Sequence, residues 1–93
     1  MEDTTEITVG QIVKSKAGRD RGRIFIVMDI IDDKFVMIAD GDYRKLDNKK
    51  KKKIKHLVIY KKVIKEIKDR IEGSEKFNNA YVRKLLAPYK KEI

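Results

Sequence analysis

The chain has 93 residues, enough for one small domain and too few for two hydrophobic cores. It is 41% hydrophobic and 42% charged, as expected of a globular body with a heavily charged exterior, and its lack of cysteine excludes disulfides, thiolate metal sites and cysteine nucleophiles. Lys+Arg of 24 against Asp+Glu of 15 leaves a net charge of +9, which points to a polyanionic partner.

The first half of the chain reads as strands. Gln11–Lys14 follows a glycine and leads into Lys16–Arg23, a basic loop whose glycines four apart suggest positive φ or a close approach by another backbone, with positive φ predicted at Gly18 or Gly22. Ile24–Ile31 is β-branched or aromatic on both alternating sets, as in a strand covered on both faces. Asp32–Lys34 is a turn and Phe35–Ala39 the returning strand, making 24–39 a β-hairpin. After a second turn at Asp40–Asp42, Tyr43–Leu46 and Ile54–Val58 are further strand candidates, joined by a run of lysines. Five short strands in this compass predict a small barrel, because closure removes exposed edges.

From Tyr60 the period changes. Tyr60, Val63, Ile64, Ile67 and Ile71 form one helical stripe, with Gly73 placed for a C-terminal cap. A second helix starts with Asn78 as cap, Phe77 and Val82 forming a hydrophobic staple. Val82, Leu85, Leu86 and Tyr89 continue its stripe until Pro88 ends or kinks it. The expectation is a mainly β chain with C-terminal helices: a barrel over residues 1–58 and a helical extension over 59–93 packed on it as one structural domain. The stripes are too apolar to face water, so the helices must pair, cover the barrel or meet a protein partner.

Catalytic chemistry finds little support. His56 is the single histidine and has no neighbouring acid to orient it, while Ser15 and Ser74 sit in no nucleophile elbow. The aspartates at 29, 32, 33, 40 and 42 read as hairpin-turn formers rather than a cation site, so neither a metal nor another cofactor is expected. Gly18–Gly22 lacks the Gly-Lys-Ser/Thr ending of a phosphate loop and leads into a strand. The longest unbroken apolar stretch, Ile24–Met28, is far short of the ~20 residues that cross a bilayer. The acidic opening Met1–Glu6 resembles neither a signal nor a transit peptide, which predicts a cytoplasmic location.

The basic residues carry the functional signal. Residues 1–31 are electrically balanced and the excess lies beyond them, most densely between Tyr43 and His56, where Asp47 is the lone acid. Lys49–Lys53 alone could be a solvated loop, but two companions favour polyanion binding. The glycine loop brings Lys16, Arg19, Arg21 and Arg23, and arginine favours bidentate phosphate contact. Arg44 and Lys45 enter the lysine run from the other side. Phe25 and Phe35 read as core, leaving Tyr43 and Tyr60 as candidate base stackers. This inventory suits recognition of phosphates and shape better than reading of bases.

Gly10–Arg23 followed by Ile24–Ile31 resembles a KOW motif, a strand, a basic glycine-bearing loop and a second strand found in ribosomal proteins and transcription elongation factors. The continuation through Val27–Ile38 to a basic run ending in Ile54-Lys-His-Leu57 is similar to the archaeal and eukaryotic large-subunit ribosomal protein family fourteen-e, which has small bacterial RNA-binding relatives. The resemblance covers residues 10–57. It implies an SH3-like β-barrel and contact with ribosomal RNA of the large subunit through Lys16, Arg19, Arg21, Arg23, Arg44, Lys45, Lys49, Lys50, Lys51, Lys52, Lys53 and Lys55. The alternative is a protein-interaction module docking on the ribosome or the transcription machinery, as some KOW domains resemble.

Overall fold

The computed structural model describes residues 7–92; the acidic opening 1–6 and residue 93 lie outside them. Five strands, β1 (Gln11–Ser15), β2 (Ile24–Ile30), β3 (Phe35–Ala39), β4 (Lys50–Lys53) and β5 (Leu57–Val63), precede two helices, α1 (Lys65–Glu72) and α2 (Asn79–Glu92). The strands form one antiparallel sheet in the order β4-β3-β2-β1-β5. Among the described residues no ladder joins β4 to β5, so the sheet is not closed by hydrogen bonds; a 3₁₀ turn, Ile54–His56, connects the two strands.

The sheet is apolar on both faces, as the two-sided pattern of Ile24–Ile31 predicted. Phe25 and Val27 of β2 join Val13, Val36, Ile38, Ile54 and Leu57 on the inner face. Ile24, Ile26 and Met28 join Ile12 and Ala39 on the outer face, where Ile64, Ile67, Val82 and Leu86 cover them. Ile67, Val82 and Leu86 are wholly buried, so both helical stripes are satisfied within the chain. Burying each such side chain contributes about 1.5–3 kcal/mol, which makes the helices part of the core.

Four predicted boundaries shift, the simplest at Ile54–Val58, where 54–56 is the 3₁₀ turn and the strand starts only at Leu57. The segment 43–46 is not a strand, because Asp40 captures it: its Oδ1 accepts the N–H groups of Asp42 (3.0 Å) and Arg44 (2.8 Å), and the Leu46 N–H donates to Asn79 Oδ1 (2.8 Å). Such local side-chain bonds compete with ladder formation. The lysines then form the strand instead of joining strands, pairing Lys50–Lys53 with Ile38–Phe35 of β3. The stripe that starts at Tyr60 begins as sheet, because β5 pairs with β1 as far as Val63 and α1 starts only at Lys65.

Asn78 caps α2 as expected, its Oδ1 accepting the Tyr81 N–H at 2.9 Å. Pro88 does not end that helix, which continues to Glu92. Its last turn is tethered from outside by the Lys62–Glu92 pair (2.7 Å) and by Lys90 beside the buried Asp40 (3.7 Å). At the other end of α2, the Arg83 guanidinium donates to the Gly41 carbonyl at 2.7 Å.

Gly41 has φ +79°, and a Cβ there would lie 2.5 Å from the Asn79 carbonyl oxygen. Gly22 has φ +87° with nothing within 4 Å of an added Cβ. Both substitutions by alanine strain the backbone by about 1 kcal/mol, but only Gly41→Ala also pushes α2 off the sheet. Chemical denaturation should therefore show Gly41→Ala as clearly the more destabilising of the two.

Candidate nucleic-acid interface

The basic loop is built around one acid. Asp20, only 1% exposed, turns inward beneath Lys16–Arg23. Its Oδ1 accepts the Ser15 hydroxyl (2.6 Å) and the Lys52 ammonium (2.8 Å), and its Oδ2 lies 3.6 Å from Lys50. Burial by itself would raise the Asp20 pKa, but the bonds from Lys52 and Ser15 and the charges of Lys52 and Lys50 outweigh it, holding the carboxyl below its ordinary range. Gly18 and Gly22, with φ of +88° and +87°, make the reversals that bring Asp20 inward and leave Arg19, Arg21 and Arg23 exposed. Positive φ, predicted for Gly18 or Gly22, is found at both.

Strand alternation divides the lysine run. Lys50 and Lys52 pair with Ile38 and Val36 and share the inner face, whereas Lys51 and Lys53 face outward with Met37 and Phe35. Lys52 is 6% exposed, and its ammonium also donates to the Ala17 carbonyl at 2.8 Å. Of the twelve predicted contact residues it is the one that is buried; it fastens the glycine loop to β4. Lys50 and Arg44 are half-buried and Lys16, Lys45, Lys49, Lys51, Lys53 and Lys55 exposed.

Two links draw these groups together. The Arg23 guanidinium lies 3.8 Å from the centre of the Tyr43 ring, joining the glycine loop to the start of the 43–56 segment. The Lys16 N–H donates to the His56 carbonyl at 3.0 Å, placing the other end of the loop beside the turn that carries Lys55. Tyr43 is 44% exposed, as suits a stacker, whereas Tyr60 packs against the outer core and accepts a bond from Gln11 at its carbonyl (2.9 Å).

The distribution of ion pairs separates this surface from the equally basic helical end. There Lys62, Lys65, Lys68, Arg70 and Lys90 each have a carboxylate within 4.0 Å. Lys16, Arg19, Arg21, Arg23, Lys45, Lys49, Lys51, Lys53 and Lys55 have none among the described residues. The uncompensated field therefore lies on the loop and β4 side.

Sequence reasoning missed the role of Asp20 and the half-buried state of Phe35. The first left a signal, a single acid inside a basic glycine loop. The second follows only from register, because Phe35 pairs with Lys53 on the outward face.

No protein-family model matches the chain. A 59-residue segment, 63% of the chain, is 41% identical to the large ribosomal subunit protein eL14 of Desulfurococcus amylolyticus. The chain spans 62% of that protein's length. The resemblance to the KOW-bearing fourteen-e proteins is thus shown by aligned sequence as well as by motif. The relative is a ribosomal protein rather than an enzyme, in keeping with the non-catalytic reading of this chain.

Removing the Lys52 ammonium strands a buried carboxylate. Lys52→Met should cost roughly 3 kcal/mol or more, and the double variant with Asp20→Asn should recover most of it. Lys51→Gln, on the exposed side of the same strand, should change stability by less than about 0.5 kcal/mol. Because the folded-state pKa of Asp20 lies below its unfolded value, its contribution is complete at neutral pH and is lost as the pH falls below about 4. Urea midpoints at pH 7 and pH 3 should accordingly differ less in the double variant than in the wild type.

Proposed function

We propose that this chain binds structured RNA, specifically ribosomal RNA of the large subunit, through phosphate contacts from the glycine loop, β4 and the turn after it. The observation that carries the reading is the distribution of charge: among the described residues four of the seven cations on the helices have a carboxylate within 4.0 Å, whereas on loop 16–23 and segment 45–55 only Lys50 and Lys52 do, and both share Asp20. A surface of unmatched arginines and lysines on a rigid sheet neutralises a phosphate backbone and releases its counterions. The similarity to a large ribosomal subunit protein supports the same partner and, with it, a ribosome-associated, cytoplasmic site of action. No described helix is long and apolar enough to cross a membrane.

The same reading favours an SH3-like barrel. What supports it is the strand order β4-β3-β2-β1-β5, the 3₁₀ turn that joins the two edge strands, and one inner cluster drawn from β1, β2, β3, that turn and β5. Within it, Lys16, Arg19, Arg21, Arg23, Lys45, Lys49, Lys51, Lys53 and Lys55 act on phosphate directly, with Arg44 and Lys50 beside them. Lys52 acts indirectly, by holding the loop through Asp20. Tyr43 and Arg23 form a stacked pair that offers one charged and one aromatic face.

Replacing Arg19 and Arg21 by Gln, or Lys49, Lys51 and Lys53 by Gln, should weaken binding to a ribosomal RNA fragment. Each phosphate interaction removed should flatten the dependence of log K on log salt by roughly 0.7–0.9. Lys65→Gln with Lys68→Gln, whose ammonium groups are already paired on α1, should leave affinity and slope unchanged. Equal effects from the two surfaces would overturn the assignment.

A further inference from the structure

Where β3 begins after the Asp32–Lys34 turn and β4 ends, a cleft of about 360 Å³ is lined by Asp33, Lys34, Phe35, Lys53, Ile54 and Lys55. We propose that this cleft receives one unpaired guanine base of the bound RNA, stacked on Phe35 and read by Asp33; the proposal rests on the RNA-binding reading above and deepens it.

Three features select such an occupant. The floor is apolar, formed by Ile54, 6% exposed, and the half-buried Phe35 ring. One face of the half-buried ring is taken by the mobile end of a side chain, the Lys51 ammonium of the neighbouring strand, 4.6 Å from its centroid. A planar base can take that place, since bases stack on aromatic side chains without regard to sequence. The rim is cationic, with exposed Lys34, Lys53 and Lys55 around the opening and Lys51 above it. A flat apolar floor ringed by ammonium groups complements a base attached to phosphates, whereas an uncharged apolar side chain would leave those charges unmatched.

Asp33 supplies the specificity. It is exposed, and no side chain among the described residues pairs with it. Its neighbour Asp32 forms the hairpin turn, accepting the N–H groups of Lys34 (2.8 Å) and Phe35 (2.9 Å), so Asp33 has no structural duty there. An ionised carboxylate only accepts hydrogen bonds, at two oxygens side by side. Guanine is the base whose Watson–Crick edge offers two adjacent donors, N1–H and the N2 amino group. Adenine and cytosine offer one donor beside an acceptor, and uracil one donor between two acceptors, so each sets a lone pair against the carboxylate. The cleft also connects with the phosphate-gripping loop, because the Lys16 N–H is bonded to the His56 carbonyl, one residue from Lys55.

The test uses uridine hexaribonucleotides carrying a single guanosine, adenosine or cytidine, with fluorescence anisotropy as readout and an RNA hairpin as the structured control. The wild type should bind the guanosine hexamer about tenfold more tightly than the others, as expected of one bidentate pair. Asp33→Asn should abolish the preference without weakening binding to plain uridine hexamer, because it removes a negative charge as well as an acceptor. Phe35→Leu, of similar volume, should weaken all the hexamers severalfold while leaving hairpin binding intact. Equal affinity for the four hexamers, or a guanosine preference that survives Asp33→Asn, would overturn the proposal, as would an acidic aromatic peptide displacing the guanosine hexamer. Protein that binds neither hexamers nor hairpin would overturn the RNA-binding reading itself; hairpin binding without base preference would overturn only the cleft.

Discussion

A lysine ammonium withdrawn from water must meet a carboxylate or lose its charge, and in this chain that requirement joins the edge of the sheet to the loop most suited to grip phosphate. Lys52 and Asp20 are each nearly inaccessible and 2.8 Å apart, with Ser15 and the Ala17 carbonyl completing the site. The bond spans two segments distant in sequence, so the conformation of Lys16–Arg23 depends on β4 being in register. One acid placed inside a basic loop thus orders the cations around it instead of cancelling them. Its own charge is offset by Lys52 and Lys50, and the arginines on either side of it remain available to a partner.

The sheet makes this arrangement possible by having two apolar faces. Residues of β2 alternate between the inner cluster and the layer roofed by α1 and α2. The helices consume the outer face, and the loop and β4 are left exposed beyond their cover. Charge follows the same division. The helical layer carries its own carboxylates in i,i+4 pairs such as Lys65–Asp69 and Lys68–Glu72, so part of its basic surface is compensated within the layer.

Much of this was legible in the residues. The hairpin 24–39, the positive φ at Gly18 and Gly22, the Asn78 cap and the burial of both helical stripes follow from local patterns that tertiary packing reinforces. The misread elements have a common cause. Tyr43–Leu46 has strand-like composition, but the Asp40 side chain and Asn79 offered its backbone nearer partners. The lysine run has poor strand propensity, yet β3 needed a neighbour and lysine is well suited to an edge. Tyr60–Val63 shares the helical spacing of Ile64–Ile71, and pairing with β1 outweighed it. At the site, composition identified the cations but could not show which face each occupied. That depends on register, which turns Lys52 inward and Lys51 outward.

The edge position of β4 has a consequence for how this protein meets copies of itself. Among the described residues its outer rim of backbone N–H and C=O groups has no partner strand, the usual template for sheet-to-sheet growth. Two molecules aligned there would set the exposed Lys51 and Lys53 of one against those of the other across a gap of about 5 Å. The barrier to such fusion is therefore coulombic, not steric, and it depends on solution conditions. It stands in dilute buffer and falls as ionic strength or a bound polyanion screens the rim. Concentrated stocks of the free protein would accordingly be best kept at low salt, against the common habit of adding salt to basic proteins.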